Sequence, residues 1–199
     1  MAAKKAEPPH PVTLCGIAGS LRAGSYNRAL LRAARELAPD DLTIRIFDRV
    51  GEIPLFDQDV EEEGDPEPVA ALKEAIKAAD GLLLATPEYN HGVPGVMKNL
   101  LDWASRPARD SVLDGTPTGI LGATPGMTGT ARAQSMLRQS LVFTNSPAML
   151  QPEVLVARAH ERFDDGGRLT HERTREFLGT YLEALRDWVV RMNGKRRGA

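Results

Sequence analysis

The chain has 199 residues, 42% of them hydrophobic and 26% charged, which suits one soluble α/β domain large enough to bury a full core. Its formal net charge of −2 argues against nucleic acid, because phosphate backbones demand concentrated positive charge. No apolar run reaches the length of a membrane span, and the one cysteine, Cys15, fits a reducing cytoplasm better than a disulfide scaffold.

In chain order, Met1 to His10 carries lysines and prolines without an apolar core, so residues 1–10 read as a flexible tail and not a secretory signal. Val12 to Ala18 is short and apolar, a central strand in which Cys15 is a structural thiol. Tyr26 to Leu37 carries apolar residues at helical spacing and is closed by Pro39. Leu42 to Phe47 alternates, as a strand nearer an edge does. Asp57 to Pro68 is acidic and reads as a solvated connection. Pro68 to Ala79 is expected to be a helix, Gly81 to Ala85 a buried strand, and Pro94 to Ala104 a helix. Gly119 to Ala123 gives a fourth strand, Ala131 to Phe143 a helix, Glu153 to Val156 a fifth strand, and His171 to Met192 a long terminal helix. The basic residues 194–199 read as a frayed tail. Five strands alternating with five helices predict a single α/β domain over residues 11–193, its parallel sheet covered on both faces.

Open sheets of this kind bind ligands beyond the carboxyl ends of their strands. Three loops there have unusual content. Gly19 to Asn27 runs into a helix start; Ser20, Ser25 and Asn27 supply donors and Arg22 a fixed charge, a set suited to a terminal phosphate. Helix capping by Ser25 explains one of these residues but not its grouping with Arg22. The spacing matches neither the three-glycine dinucleotide fingerprint nor a Gly-Lys-Ser/Thr phosphate loop. The second loop, Thr86 to Gly95, sets Tyr89 between Pro87 and Pro94, with backbone groups of Glu88, Asn90 and His91 nearby. A planar ligand stacked on Tyr89 and a plain connector with Tyr89 packed on the protein are both open readings. His91 has no partner at metal-ligand spacing, so no metal site is expected. The third loop, Thr124 to Thr130, has two glycines that admit close approach to a ligand, or make an ordinary turn before a helix capped by Thr128 or Thr130. No hydrolase elbow accompanies Ser20.

These residues resemble the NAD(P)H-dependent FMN reductase family, the flavodoxin-like group that includes quinone, chromate and azo-dye reductases. The resemblance rests on Gly19-Ser20-Leu21-Arg22 with Ser25 and Asn27, on Pro54-Leu55-Phe56 and on Ala79-Asp80-Gly81. It continues through Thr86 to Asn90, Pro94-Gly95, Lys98-Asn99, Asp102-Trp103 and Ser105-Arg106-Pro107. Its last carriers are Thr124-Pro125-Gly126, Ala131-Arg132-Ala133-Gln134 and Leu137-Arg138. It implies a flavodoxin-like three-layer sandwich that binds FMN, the phosphate held by Ser20, Arg22, Ser25 and Asn27. The ring would lie against Pro87, Glu88, Tyr89, Asn90 and His91, with Thr124 and Gly126 closing the other edge. The implied activity takes a hydride from NADPH or NADH, through flavin N5 in ping-pong order, to quinone, azo, nitro, metal-oxyanion or flavin acceptors. It also implies a homodimer or homotetramer, with Arg132 and Glu153 as interface partners by analogy. His91 stands where the family commonly has a small residue, and Ser135 where some chromate-reducing relatives have a tyrosine. His91 is the one candidate proton donor. The rival function is a non-enzymatic flavodoxin-type electron carrier, which the near-neutral charge disfavours. The acceptor and the choice of NADPH over NADH are not legible in the residues.

Overall fold

A computed structural model of the chain describes residues 11–197. Five strands, β1 (Val12–Ala18), β2 (Leu42–Phe47), β3 (Gly81–Ala85), β4 (Thr118–Ala123) and β5 (Val154–Val156), form one sheet in the order β2-β1-β3-β4-β5. Every pairing is parallel. Six helices connect and cover them: α1 (Tyr26–Glu36), α2 (Gln58–Glu63), α3 (Glu67–Lys77), α4 (Gly95–Ala104), α5 (Ala131–Phe143) and α6 (Glu172–Arg197).

Strand alternation divides the core into two layers. Leu14, Leu83 and Leu121 face α1 and α6, meeting Leu30, Ala34, Leu182 and Leu185. Ile17, Leu82, Leu84 and Ile120 face the opposite way, toward Leu72 and Ile76 of α3, Leu100 and Trp103 of α4, and Leu137 of α5. This is the flavodoxin-like three-layer sandwich expected from the alternation of elements. β2 lies at the edge and has the exposed face that its alternation foretold. Cys15 is buried among apolar side chains, which pushes its thiol up to about 12 and leaves it an inert packing residue.

Three differences from the expected elements have local causes. The acidic connection is partly helical: the Asp57 carboxylate accepts from the Asp59 N–H at 3.0 Å, acids fill the first turn, and Gly64 ends α2 at φ +119°. No residue of α2 is buried, so apolar periodicity left no trace there. At the other end, α6 runs past Met192 to Arg197 and takes in most of the basic segment expected to fray. The third is at α4, which begins at Gly95 with buried Pro94 as its cap residue. Residues 1–10, expected as a tail, lie outside the described residues.

After β1 the chain goes outward to β2, then returns to the far side of β1 as β3. Strand order therefore reverses between β1 and β3, the place where open sheets of this kind form a ligand crevice.

Candidate functional site

The loop after β1 reaches this crevice and turns into α1. Gly19 fits because an added Cβ would lie 2.9 Å from the Met97 Cβ of α4. Ser25 caps α1: its hydroxyl accepts from the N–H groups of Asn27 at 3.2 Å and Arg28 at 3.4 Å. This cap is uncharged, and α1 has no acidic residue in its first turn. The positive end of the helix therefore keeps its field. Arg22 adds a full charge, its guanidinium 5.6 Å from the Tyr26 ring centroid. Ser20 is buried beside it.

The structure gives Asn27 a structural task. Its side-chain N–H donates to the Ala123 carbonyl at 2.9 Å, and its oxygen accepts from the Ala123 N–H at 2.9 Å. Both bonds are buried and join the start of α1 to the carboxyl end of β4. That clamp leaves one side-chain N–H of Asn27 for a ligand.

The loop after β3 makes a tight reversal. The Tyr89 and Gly92 backbones exchange hydrogen bonds at 3.2 and 2.9 Å, with Asn90 at φ +51° and His91 at φ +61° between them. Two left-handed central residues are what a type I′ turn requires. Asn and His tolerate that region better than most side chains. The turn leaves Tyr89 55% exposed, so packing on the protein covers less than half of it and a planar-ligand surface stays open.

Glu88 points the other way. Its side chain is only 8% exposed, and its carboxylate accepts from the N–H groups of Arg132 at 3.0 Å and Ala133 at 3.2 Å. The Arg132 guanidinium adds a bond at 3.2 Å. Burial pulls this carboxyl up, but the Ala133 and Arg132 donors outweigh it and hold it below the usual carboxylate value. Glu88 is thus the charged cap of α5. Thr130, the residue at the cap position, sits at φ +72° and makes no side-chain cap bond. Arg132 is therefore satisfied within its own chain, and Glu153 pairs with Arg138 at 3.6 Å.

The loop after β4 folds on itself and on β5. The Thr124 hydroxyl accepts from the Gly126 N–H at 3.2 Å, and Gly126 and Thr124 carbonyls accept from Arg158 and Ala159 at 3.0 and 2.9 Å. At Gly122 a Cβ would sit 1.9 Å from Thr130 Oγ1 and 2.6 Å from the Thr86 carbonyl, so glycine is required for the second and third loops to meet. The Asn27 and Glu88 links, with this contact, gather all three loops at one edge. Within that edge lie Ser20, Arg22 and Ser25 at the start of α1 and the exposed Tyr89 of the second loop.

Two further positioning residues are not visible as such in the residue pattern. Asn99 accepts from the Phe56 N–H and donates to the Pro54 carbonyl, both at 2.8 Å, and Trp103 Nε1 donates to the same carbonyl at 2.9 Å. The Phe56 ring stands edge-on to Trp103 at 5.0 Å, so the Pro54–Phe56 segment is strapped to α4. The nearest available signal was that Asn99 and Trp103 fall one turn apart on one face. Among the described residues no group of three or more His, Cys, Asp or Glu is placed to hold a metal ion, and no described helix is long and apolar enough to cross a membrane.

Comparison with known proteins agrees with this fold. The sequence model of the family described as NADPH-dependent FMN reductase matches residues 12–161. An NAD(P)H-dependent FMN reductase of Pseudomonas aeruginosa is 47% identical over 183 residues, covering 92% of this chain and 98% of that one. A 2-hydroxy-1,4-benzoquinone reductase of a Burkholderia species is 43% identical, covering 87% and 93%. Among solved structures, FerB, a flavoenzyme NAD(P)H:(acceptor) oxidoreductase of Paracoccus denitrificans, superposes with a TM-score of 0.83 at 34% identity, covering 91% and 98%.

Proposed function

The chain belongs to the NADPH-dependent FMN reductase family, and we propose that it is an FMN-dependent NAD(P)H oxidoreductase whose acceptors are quinones and related small oxidants. The observation that carries this reading is the uncharged, cation-flanked start of α1 beside an exposed aromatic platform. The donor set fits FMN: Ser20, Arg22, Ser25 and the first N–H groups of α1 suit its phosphate, and Tyr89 with the Asn90–His91 backbone suits its ring.

When bound, FMN supplies the hydride chemistry between nicotinamide and acceptor. The protein supplies position. The helix field and Arg22 hold the phosphate end. The type I′ turn presents backbone donors of the Asn90–His91 region, preorganised to stabilise negative charge on the ring's edge. Tyr89 would lie beside the ring, and we propose that co-substrate and acceptor would use the same place in turn, in ping-pong order. Azo, nitro and metal-oxyanion acceptors belong to the proposal because the crevice offers them shape and charge but no dedicated pocket. His91 is proposed to donate a proton to an acceptor; a pH–rate profile unchanged in His91→Asn would sink that role. We place the enzyme in the cytoplasm as a homodimer or homotetramer. The exposed Tyr89, Met127 and Met136 side chains around the platform support a neighbouring chain there.

The test is anaerobic reduction of the FMN-loaded protein. Rapid bleaching by NADPH or NADH, and recovery of colour on adding a quinone, is the expected result. Bleaching only with a protein reductase would instead favour a flavodoxin-type carrier, and failure to bind supplied FMN would overturn both.

A further inference from the structure

A second cavity opens on the β2 side of the phosphate loop. It holds about 420 Å³ and shares Ser20 and Leu21 with that loop. Its floor is apolar, formed by Leu31, Ile46, Phe47 and Val50. Its wall is a stripe of three arginines on α1, Arg28, Arg32 and Arg35, spaced four and three residues apart so that all point along one face. Asp48 is the one acid on the lining.

The three guanidinium groups stand unneutralised. Among the described residues none of them makes an ion pair or a side-chain hydrogen bond, whereas Arg49, Arg132 and Arg186 each hold a carboxylate. Like charges one turn apart repel. Arg28 is worse placed still, in the first turn of α1, where the helix field disfavours a cation. Arg28 and Arg32 are also half-buried. A fold needs none of this, and an anion in the cavity would reverse the sign of every one of these terms. Arginine forks match phosphate oxygens two at a time, and an apolar floor with one phenyl ring suits a purine.

We infer that this cavity takes the adenosine 2′-phosphate end of NADPH, so that Arg28, Arg32 and Arg35 set the preference for NADPH over NADH. This rests on the reductase reading above. The strand order agrees: the cavity lies at β1 and β2 and the Tyr89 platform at β3, about 10 Å apart at the inter-strand spacing, which an extended dinucleotide spans. At neutral pH the 2′-phosphate carries close to two negative charges, the match for a wall with a net excess of two cations.

The test compares the protein with Arg32→Gln, Arg35→Gln and the double variant. Two measurements are made: the ratio of kcat/KM for NADPH to that for NADH, and calorimetric binding of adenosine 2′,5′-bisphosphate against 5′-AMP. The double variant is expected to lower the NADPH/NADH ratio tenfold or more. It should weaken adenosine 2′,5′-bisphosphate tenfold or more with a much smaller change for 5′-AMP. An unchanged ratio with unchanged bisphosphate binding overturns the assignment. So does a parallel loss of NADPH, NADH and FMN affinity, which would make the stripe part of the flavin phosphate seat. A parallel loss for bisphosphate and 5′-AMP would also overturn it, as general nucleotide attraction. If neither nicotinamide reduces the flavin, the reductase reading fails, and the bisphosphate titration alone decides whether the site exists.

Discussion

α1 and α5 both begin at the carboxyl edge of the same sheet, yet their first turns are completed in opposite ways. At α5 the N–H groups of Arg132 and Ala133 receive the Glu88 carboxylate, a buried charge from the neighbouring loop. At α1 the equivalent N–H groups receive only the Ser25 hydroxyl. A helix start already filled with its own anion has nothing left for a ligand. One finished with a neutral oxygen, beside Arg22, still attracts a phosphate. On the proposed function, the difference separates a structural cap from a binding cap, although both lie at the same edge of the sheet.

The largest way to break the comparison is to part the loops that hold it. Gly122→Ala puts a methyl against the Thr86 carbonyl and Thr130 hydroxyl. It should cost about 3 kcal/mol or more in urea unfolding, because backbone cannot yield there. Next is Asn27→Ala, which leaves the buried N–H and C=O of Ala123 unpaired. A loss of roughly 1–3 kcal/mol is expected. FMN affinity should fall less than it does for Arg22→Ala, since Asn27 holds α1 in place more than it holds ligand.

Glu88→Gln sharpens the α5 side. Neutralising this cap should destabilise by about 1 kcal/mol at neutral pH, the charge-assisted share of its bonds. Its folded value is depressed, so its stabilisation is fully present above the unfolded glutamate value of about 4.3 and disappears as pH falls through the lower folded value. Unfolding curves of the protein should therefore steepen in acid below that point, and those of Glu88→Gln should lose that part of the slope. The smallest effect belongs to His91→Gly, which removes a side chain at φ +61°. Stability should change by less than about 1 kcal/mol, while a β-branched residue there should unfold the turn.

How far the residues alone carried depended on whether their partners were near in sequence. The strands from Val12 to Ala18, Leu42 to Phe47 and Gly81 to Ala85 were legible because burial imposes a local apolar pattern. The three loops were legible because Gly and Pro mark strand exits. The structural clamp of Asn27 was not legible because its partner, Ala123, is 96 residues away. The capping role of the Glu88 side chain was hidden for the same reason: Arg132 lies 44 residues on. α2 was invisible because it buries nothing. The arginine stripe of α1 has no partner in sequence to mark it and stands out only where the fold sets it beside Phe47 and Val50.

The central claim is that the neutral cap of α1 seats the flavin phosphate. Titrating FMN and riboflavin into the flavin-free protein and into Ser25→Asp tests it directly, because the two ligands differ only in that phosphate and aspartate caps a helix as well as serine does. The unaltered protein should prefer FMN over riboflavin by roughly 100-fold, and Ser25→Asp should cut that preference below tenfold with riboflavin affinity held. A preference for FMN that survives a carboxylate at position 25 would contradict the account.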